Sequence, residues 1–241
     1  MFAGPSLHRD LPFFRRQQDG VAWPGPARCG DIMRAVEAGA VAIGLVDGLF
    51  DQTASPWHKE ILYALENGVA IAGGGSLGAL RAAECHAFGM QGIGAIFEQY
   101  ASGRRIADAD VAQLHAPAEL NYLPLTEPLV NAEPSLEALI ASEAVAAESA
   151  RDLLCIAREL HYTDRTYGEI IRSSRRISPL DAVTAETWLR ANAIDQKRLD
   201  ALAVLEWLRA QPACRSAARR DWSLEPTSQW LALLESTGDR P

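Results

Sequence analysis

The sequence predicts an α/β protein: a mostly parallel sheet flanked by helices in the N-terminal half, followed by an all-helical C-terminal region. Three observations predict it. Short apolar runs alternate with amphipathic stretches through the first hundred residues. The links between them are short and carry Gly, Pro, Asn and Asp, the pattern of βαβ units. No strand signal follows residue 131, where segments rich in Ala, Leu and Glu take over. That change of character divides the chain into an α/β core domain, 1–131, and a helical region, 132–241. The 241 residues are 48% apolar and 22% charged, enough for a sizeable core in one or two domains.

The elements follow in order. Met1–Ala3 is a short apolar start before Gly4-Pro5-Ser6. Gly30-Asp31 opens a helix that runs through Glu37 and stops at Gly39. Val41–Val46 reads as a buried strand ended by Asp47-Gly48. Ser55-Pro56 supplies an N-cap serine and a proline at the first helical position. The helix that follows carries Trp57, Ile61, Leu62 and Leu65 on one face and ends at Asn67-Gly68. Val69–Ala72 is the next strand. The turn Gly73-Gly74-Gly75-Ser76 leads into a helix over Leu77–Ala87, and another covers Ile93–Tyr100. Pro117, Pro124 and Pro128 interrupt an irregular stretch from Asp108 to Asn131. Ser135–Leu160 then reads as one long helix. Further helices are expected at Tyr167–Arg172, Pro179–Ala193, Gln196–Ala210 and Ser223–Glu235, with Leu199, Leu202, Leu205 and Leu208 stepping at three.

Composition excludes several functions. The net charge of −8 argues against a nucleic-acid binder that relies on overall charge. Cys29, Cys85, Cys155 and Cys214 lie far apart and the five histidines are scattered, so neither a metal site nor a disulfide framework is expected. The cysteines read as reduced and mostly buried. Arg15-Arg16 is followed by polar residues rather than an apolar run, and no membrane span is visible, so the expected compartment is the cytoplasm.

In open parallel sheets, chemistry gathers at the carboxyl ends of the strands. The loops there are Gly4-Pro5-Ser6 with His8, Asp47 to Ser55, and Gly73 to Ser76. Asp47, His58, Lys59 and Ser76 are therefore expected at one edge. Gly74-Gly75-Ser76-Leu77-Gly78 matches G-x-S-x-G between a predicted strand and a predicted helix. Such a turn can expose a nucleophilic hydroxyl, with the first helical N–H groups to hold an oxyanion. The same turn also fits a plain N-cap serine or an anion-binding helix start. No Gly-Lys-Ser/Thr follows, which disfavours a Walker loop, and the glycine spacing does not fit the dinucleotide fingerprint G-x-G-x-x-G.

A nucleophilic serine needs a base. His86 lies ten residues along the same helix, too far to reach back. His115, in the irregular stretch, stays a candidate. The other solution is lysine. Of 23 basic residues only Lys59 and Lys197 are lysines. Lys59 lies in a first helical turn, where the macrodipole disfavours an ammonium, and arginine could not serve because it does not deprotonate. An ordinary surface lysine beside Glu60 or Tyr63 fits the same residues. Lys197 reads as solvated. Arg81, Glu84 and Glu119 are secondary candidates, with an Arg81–Glu84 salt bridge the expected use of that pair.

Taken together these motifs resemble the TfuA-like family. The segments that carry the resemblance are Gly4-Pro5-Ser6-Leu7, Val46-Asp47-Gly48-Leu49-Phe50, Trp57-His58-Lys59-Glu60-Ile61-Leu62, and Ser76-Leu77-Gly78-Ala79-Leu80-Arg81-Ala82-Ala83-Glu84. They continue with His86-Ala87-Phe88-Gly89-Met90, Gly92-Ile93-Gly94 and Pro117-Ala118-Glu119-Leu120 through Asn131, so the resemblance covers roughly 1–131. Leu77 stands where the family has methionine, a near-isosteric change.

The resemblance implies a partner of YcaO enzymes, which use ATP to activate peptide backbone amides. It implies hydrolysis of a thiocarboxylated ThiS-like sulfur carrier, with sulfide released for backbone thioamidation of a ribosomal peptide. It further implies Ser76 as nucleophile and Lys59 as base, backbone N–H groups near Gly75 and Leu77 holding the oxyanion, with no metal and no cofactor. Asp47 or His58 would orient Lys59. The alternative is a non-catalytic adaptor that presents peptide or carrier to YcaO. A third class, a phosphate- or nucleotide-binding module, would use the Gly73–Gly75 turn. A homo-oligomer is left open.

Overall fold

The structure is a computed structural model and describes residues 1–17, 19–49, 53–216 and 221–238. Phe50, part of one motif above, lies outside them. The chain forms two compact units, Met1–Ile106 with Leu199–Pro241, and Ala107–Arg198.

The first unit is built on a three-stranded sheet. A 3-10 turn at Pro5–Leu7 and a short helix α1 (Leu11–Phe14) precede α2 (Asp31–Glu37). Then come β1 (Ala42–Leu45), α3 (His58–Glu66), β2 (Ala70–Gly73) and α4 (Leu77–Cys85). A two-residue strand β3 (Gln91–Gly92) and α5 (Ala95–Ala101) follow. The strands are parallel in the order β1-β2-β3, with Ile43 beside Ile71 and Gly73 beside Gly92. Phe2 extends the sheet beyond β1: its N–H donates to the Gly44 carbonyl at 2.8 Å, in parallel register with Leu45. All four segments therefore run the same way, and the expected parallel sheet is present. The loops that leave it after Phe2, β1 and β2 share one edge.

Strand alternation sorts the two faces. Ile43, Leu45 and Ile71 pack with Ile32 and Val36 of α2, Ile61, Ala64 and Leu65 of α3, and Ala82 and Cys85 of α4. Helix α3 starts later than Ser55-Pro56 predicts. Trp57 is its N-cap, and the Glu60 carboxylate reaches back to the Trp57 N–H at 2.9 Å. The Ser55 hydroxyl faces the Leu49 carbonyl instead.

The second unit holds α6 (Leu129–Ser142), α7 (Ala147–Glu159), α8 (Tyr167–Ser173) and α9 (Pro179–Asn192). The single long helix expected over Ser135–Leu160 is two helices. Glu143 adopts a left-handed φ of 54° and ends α6, and Val145 in the connection is buried. This break lets Leu136 and Leu139 of α6 share one core with Ala150 and Leu153 of α7, Ile170 of α8, and Ala185 and Leu189 of α9. Thr166 and Ser178 cap α8 and α9 through their hydroxyls. Buried Arg165 donates to the Ala157 and Leu160 carbonyls, satisfying the end of α7. Lys197 is not solvated: it is 2% exposed, and its Nζ donates to the Val111 carbonyl at 3.0 Å and to Gln113 Oε1 at 2.9 Å. A lysine can be buried when carbonyl oxygens replace its water.

Helix α10 (Gln196–Arg209) contains the boundary between the units, and α11 (Ser228–Gly238) ends the described chain. From Leu199 onward the chain belongs with the sheet. A Cβ on Gly44 would lie 3.1 Å from Val204 and 3.7 Å from Leu208, so α10 covers the face that Gly44 presents. Its buried face is Ala201, Val204 and Leu205; Leu199, first of the expected three-step series, is 52% exposed. Helical spacing of 3.6, not three, selects the face. Asp200 accepts from the N–H groups of Ala95 and Ile96 at 3.1 and 2.9 Å, capping α5.

Of the cysteines, Cys85 is buried and Cys29 half-buried, whereas Cys155 and Cys214 are exposed, contrary to a mostly buried set. Among the described residues no helix is long and apolar enough to cross a membrane.

Candidate active site

The turn after β2 is fixed from the backbone upward. Gly75 takes a left-handed φ of 72°, which a glycine adopts without strain. The Ser76 N–H donates to the Gly74 carbonyl at 2.8 Å, the Gly74 N–H to Leu45 at 3.2 Å, and the Gly78 N–H to Val46 at 2.9 Å. Gly48 sits against the Leu77 side chain so closely that a Cβ there would lie 2.0 Å from a Leu77 methyl. The loops after β1 and β2 are thereby locked together.

Ser76 is the N-cap of α4 and 7% exposed, yet its hydroxyl makes no capping bond. Among the described residues, neither the Ser76 hydroxyl nor the N–H groups of Gly75 and Leu77 have a hydrogen-bond partner. A hydroxyl flanked by two uncommitted backbone donors at a helix start is the arrangement an oxyanion needs.

Asp47 is buried at the same edge, but its carboxylate is turned to the N-terminal loop. Oδ2 accepts from the N–H groups of Gly4 and Ser6 at 2.8 and 3.0 Å, and Oδ1 from the Ser6 hydroxyl at 2.7 Å. His58 and Lys59 open α3. His58 Nε2 lies 2.8 Å from Glu84 Oε2, and Arg81 Nη1 donates to the same oxygen at 2.7 Å. Arg81 Nε also donates to the Pro56 carbonyl at 3.0 Å, tying the start of α3 to the middle of α4. The His58 hydrogen bond and the Arg81 guanidinium hold the Glu84 carboxyl below its ordinary value. The expected Arg81–Glu84 pair is thus present, enlarged by His58.

Lys59 Nζ donates to the backbone carbonyl of Glu225 at 2.5 Å, and no hydrogen bond joins it to Ser76. Glu119 is exposed on a 3-10 turn of the second unit, and His115 there bonds the Ala116 carbonyl through Nδ1. The structure thus gathers Ser76, Gly75, Leu77 and Asp47 on adjoining loops, and His58, Arg81 and Glu84 in one network. Glu119 and His115 belong to the other unit.

Two contributors carry no warning as site residues in the sequence. Glu60 is fully buried, and burial raises its carboxyl above the ordinary value against the pull of backbone N–H groups at Gly30, Trp57, Met33 and Ile32. Its position three residues after an N-cap was the available signal. The other is the segment around Glu225, which no local pattern marks. Among the described residues no group of His, Cys, Asp and Glu is placed to hold a metal ion.

Residues 47–166 match a family model described as TfuA-like protein. No curated protein matches the chain.

Proposed function

Because this chain belongs to the TfuA-like family, we propose that it hydrolyses a thiocarboxylated sulfur-carrier protein of the ThiS type and supplies sulfide to a YcaO enzyme. Family membership supports a role related to thioamidation. The hydrolytic step rests on one observation: a Ser76 hydroxyl with no hydrogen-bond partner among the described residues, set between two N–H groups equally uncommitted among them at the start of α4.

In the proposed reaction Ser76 Oγ attacks the C-terminal thiocarboxylate carbon of the carrier, and neutral Lys59 accepts its proton. The Gly75 and Leu77 N–H groups hold the tetrahedral oxyanion. The C–S bond breaks, and sulfide leaves with the proton returned by Lys59. Water, deprotonated in turn by Lys59, hydrolyses the acyl-serine to a carrier carboxylate. Sulfide leaves far more readily than an amine, so a single lysine base suffices. Lys59 must exchange the Glu225 carbonyl for Ser76 to take this part.

The test is sulfide release from a thiocarboxylated carrier. Ser76→Ala is expected to lower it by about two to four orders of magnitude, and Lys59→Arg by about two or more. Unchanged release in Ser76→Ala rejects the nucleophile.

A second reading is the adaptor, which binds YcaO and presents its substrate without chemistry. The engagement of Lys59 by Glu225 rather than Ser76 favours it. Under that reading Ser76→Ala leaves YcaO-dependent thioamidation intact.

A further inference from the structure

Lys59, Tyr63 and Glu66 stand at i, i+4 and i+7 on α3 and form one stripe along its surface. The C-terminal segment engages all three. The Leu224 N–H donates to Glu66 Oε1 at 3.1 Å, the Glu225 carbonyl accepts from Lys59 Nζ at 2.5 Å, and the Trp230 ring centre lies 5.5 Å from that of Tyr63. Trp230 is 3% exposed, and Trp222 meets Phe88 edge-on at 5.8 Å. Between these two anchors, residues 222–227 form neither helix nor strand, and Ser223, Glu225, Pro226 and Thr227 are exposed.

The stripe therefore reads backbone. One carboxylate takes an N–H and one ammonium takes the next carbonyl, with no demand on the side chains between. The stripe lies within the family-matched residues, whereas the segment covering it lies outside them. Among the described residues, two polar bonds at the surface hold the covering segment between the tryptophans, so exchanging it for another chain is cheap.

We propose that the Lys59–Tyr63–Glu66 stripe is a docking strip for an extended peptide tail of a partner protein, and that residues 222–227 occupy it in cis as a stand-in. The occupant is a flexible tail with an apolar or aromatic side chain near Tyr63 and a backbone carbonyl delivered to Lys59. This deepens the proposed function by naming how the carrier's tail is recognised.

The experiment uses the full chain and a fluorescein-labelled synthetic peptide of residues 221–231, followed by anisotropy. A cis competitor lowers apparent affinity by the fraction of molecules in which the strip is open. Trp230→Ala and, separately, Leu224→Pro are therefore expected to bind the peptide about tenfold or more tighter than wild type. Leu224→Pro removes the N–H that Glu66 accepts and leaves Trp230 in place, which covers the case in which loss of the buried Trp230 unfolds the chain. Adding Glu66→Ala to either variant is expected to abolish the gain. Equal binding by wild type and Leu224→Pro overturns the proposal, as does a gain that survives Glu66→Ala. Sulfide release without any peptide binding rejects the strip alone; peptide binding without sulfide release rejects the hydrolase and keeps the strip.

Discussion

Gly78 of α4 meets the Leu45 carbonyl of β1 with no room for a side chain: a Cβ on Gly78 would lie 1.8 Å from that oxygen. This approach presses the start of α4 onto β1 and sets the Ser76 turn against the loop after the strand. Gly78→Ala must push backbone away from backbone, so it is expected to cost about 3 kcal/mol. Urea denaturation measures it, and a wild-type midpoint would show that α4 can slide off β1.

Asp47 fastens the N-terminal loop through three donors, Gly4 N–H, Ser6 N–H and the Ser6 hydroxyl. Asp47→Asn keeps the shape but presents an NH2 group to donors. Stability is expected to fall by about 1–3 kcal/mol, and by about 1 kcal/mol in Ser6→Ala, which removes a single bond. Equal losses in the two variants would mean that the backbone donors contribute nothing.

The two lysines are expected to respond unequally to loss of charge. Lys197→Met strands the Val111 carbonyl and Gln113 in a buried place, and is expected to cost about 1–3 kcal/mol. Lys59→Met removes a surface contact to one carbonyl and is expected to cost under about 1 kcal/mol. Hydrogen exchange within residues 107–198 reads the first; urea midpoints read both.

The carboxyls of Glu60 and Glu84 impose opposite pH dependences. Burial raises Glu60 above 4.5, so the folded state binds more protons in that window and stability falls as pH rises through the raised value. Glu84 is held below 4.5 by His58 and Arg81, so its contribution is present above 4.5 and lost as pH falls through the lowered value. Urea midpoints against pH should lose their decline with rising pH in Glu60→Gln and part of their decline with falling pH in Glu84→Gln. An unchanged profile in Glu60→Gln would mean that its carboxyl is not desolvated.

Local pattern fixes much of this protein. The apolar runs at 41–46 and 69–72, the glycines around Ser76 and the helix stop at Asn67-Gly68 act over a few residues, and each appears where spacing predicts it. The Ser76 turn is legible for the same reason: its unusual backbone needs glycine, and glycine is visible. Strand β3 is only two residues long, too short to carry a period.

Tertiary structure decided what depends on partners far along the chain. Lys197 looks solvated among Asp195, Gln196 and Arg198, and is buried because Val111 and Gln113 bring carbonyl oxygens to it. Asp47 is turned away from Lys59 by donors more than forty residues earlier. Lys59 itself, drawn from composition and helix position, ends on a carbonyl 166 residues away. Sequence determines which groups can ionise, cap or turn, because those are properties of a residue and its neighbours. What each group faces is set by which distant segments pack together, and that depends on the burial gained by the whole chain.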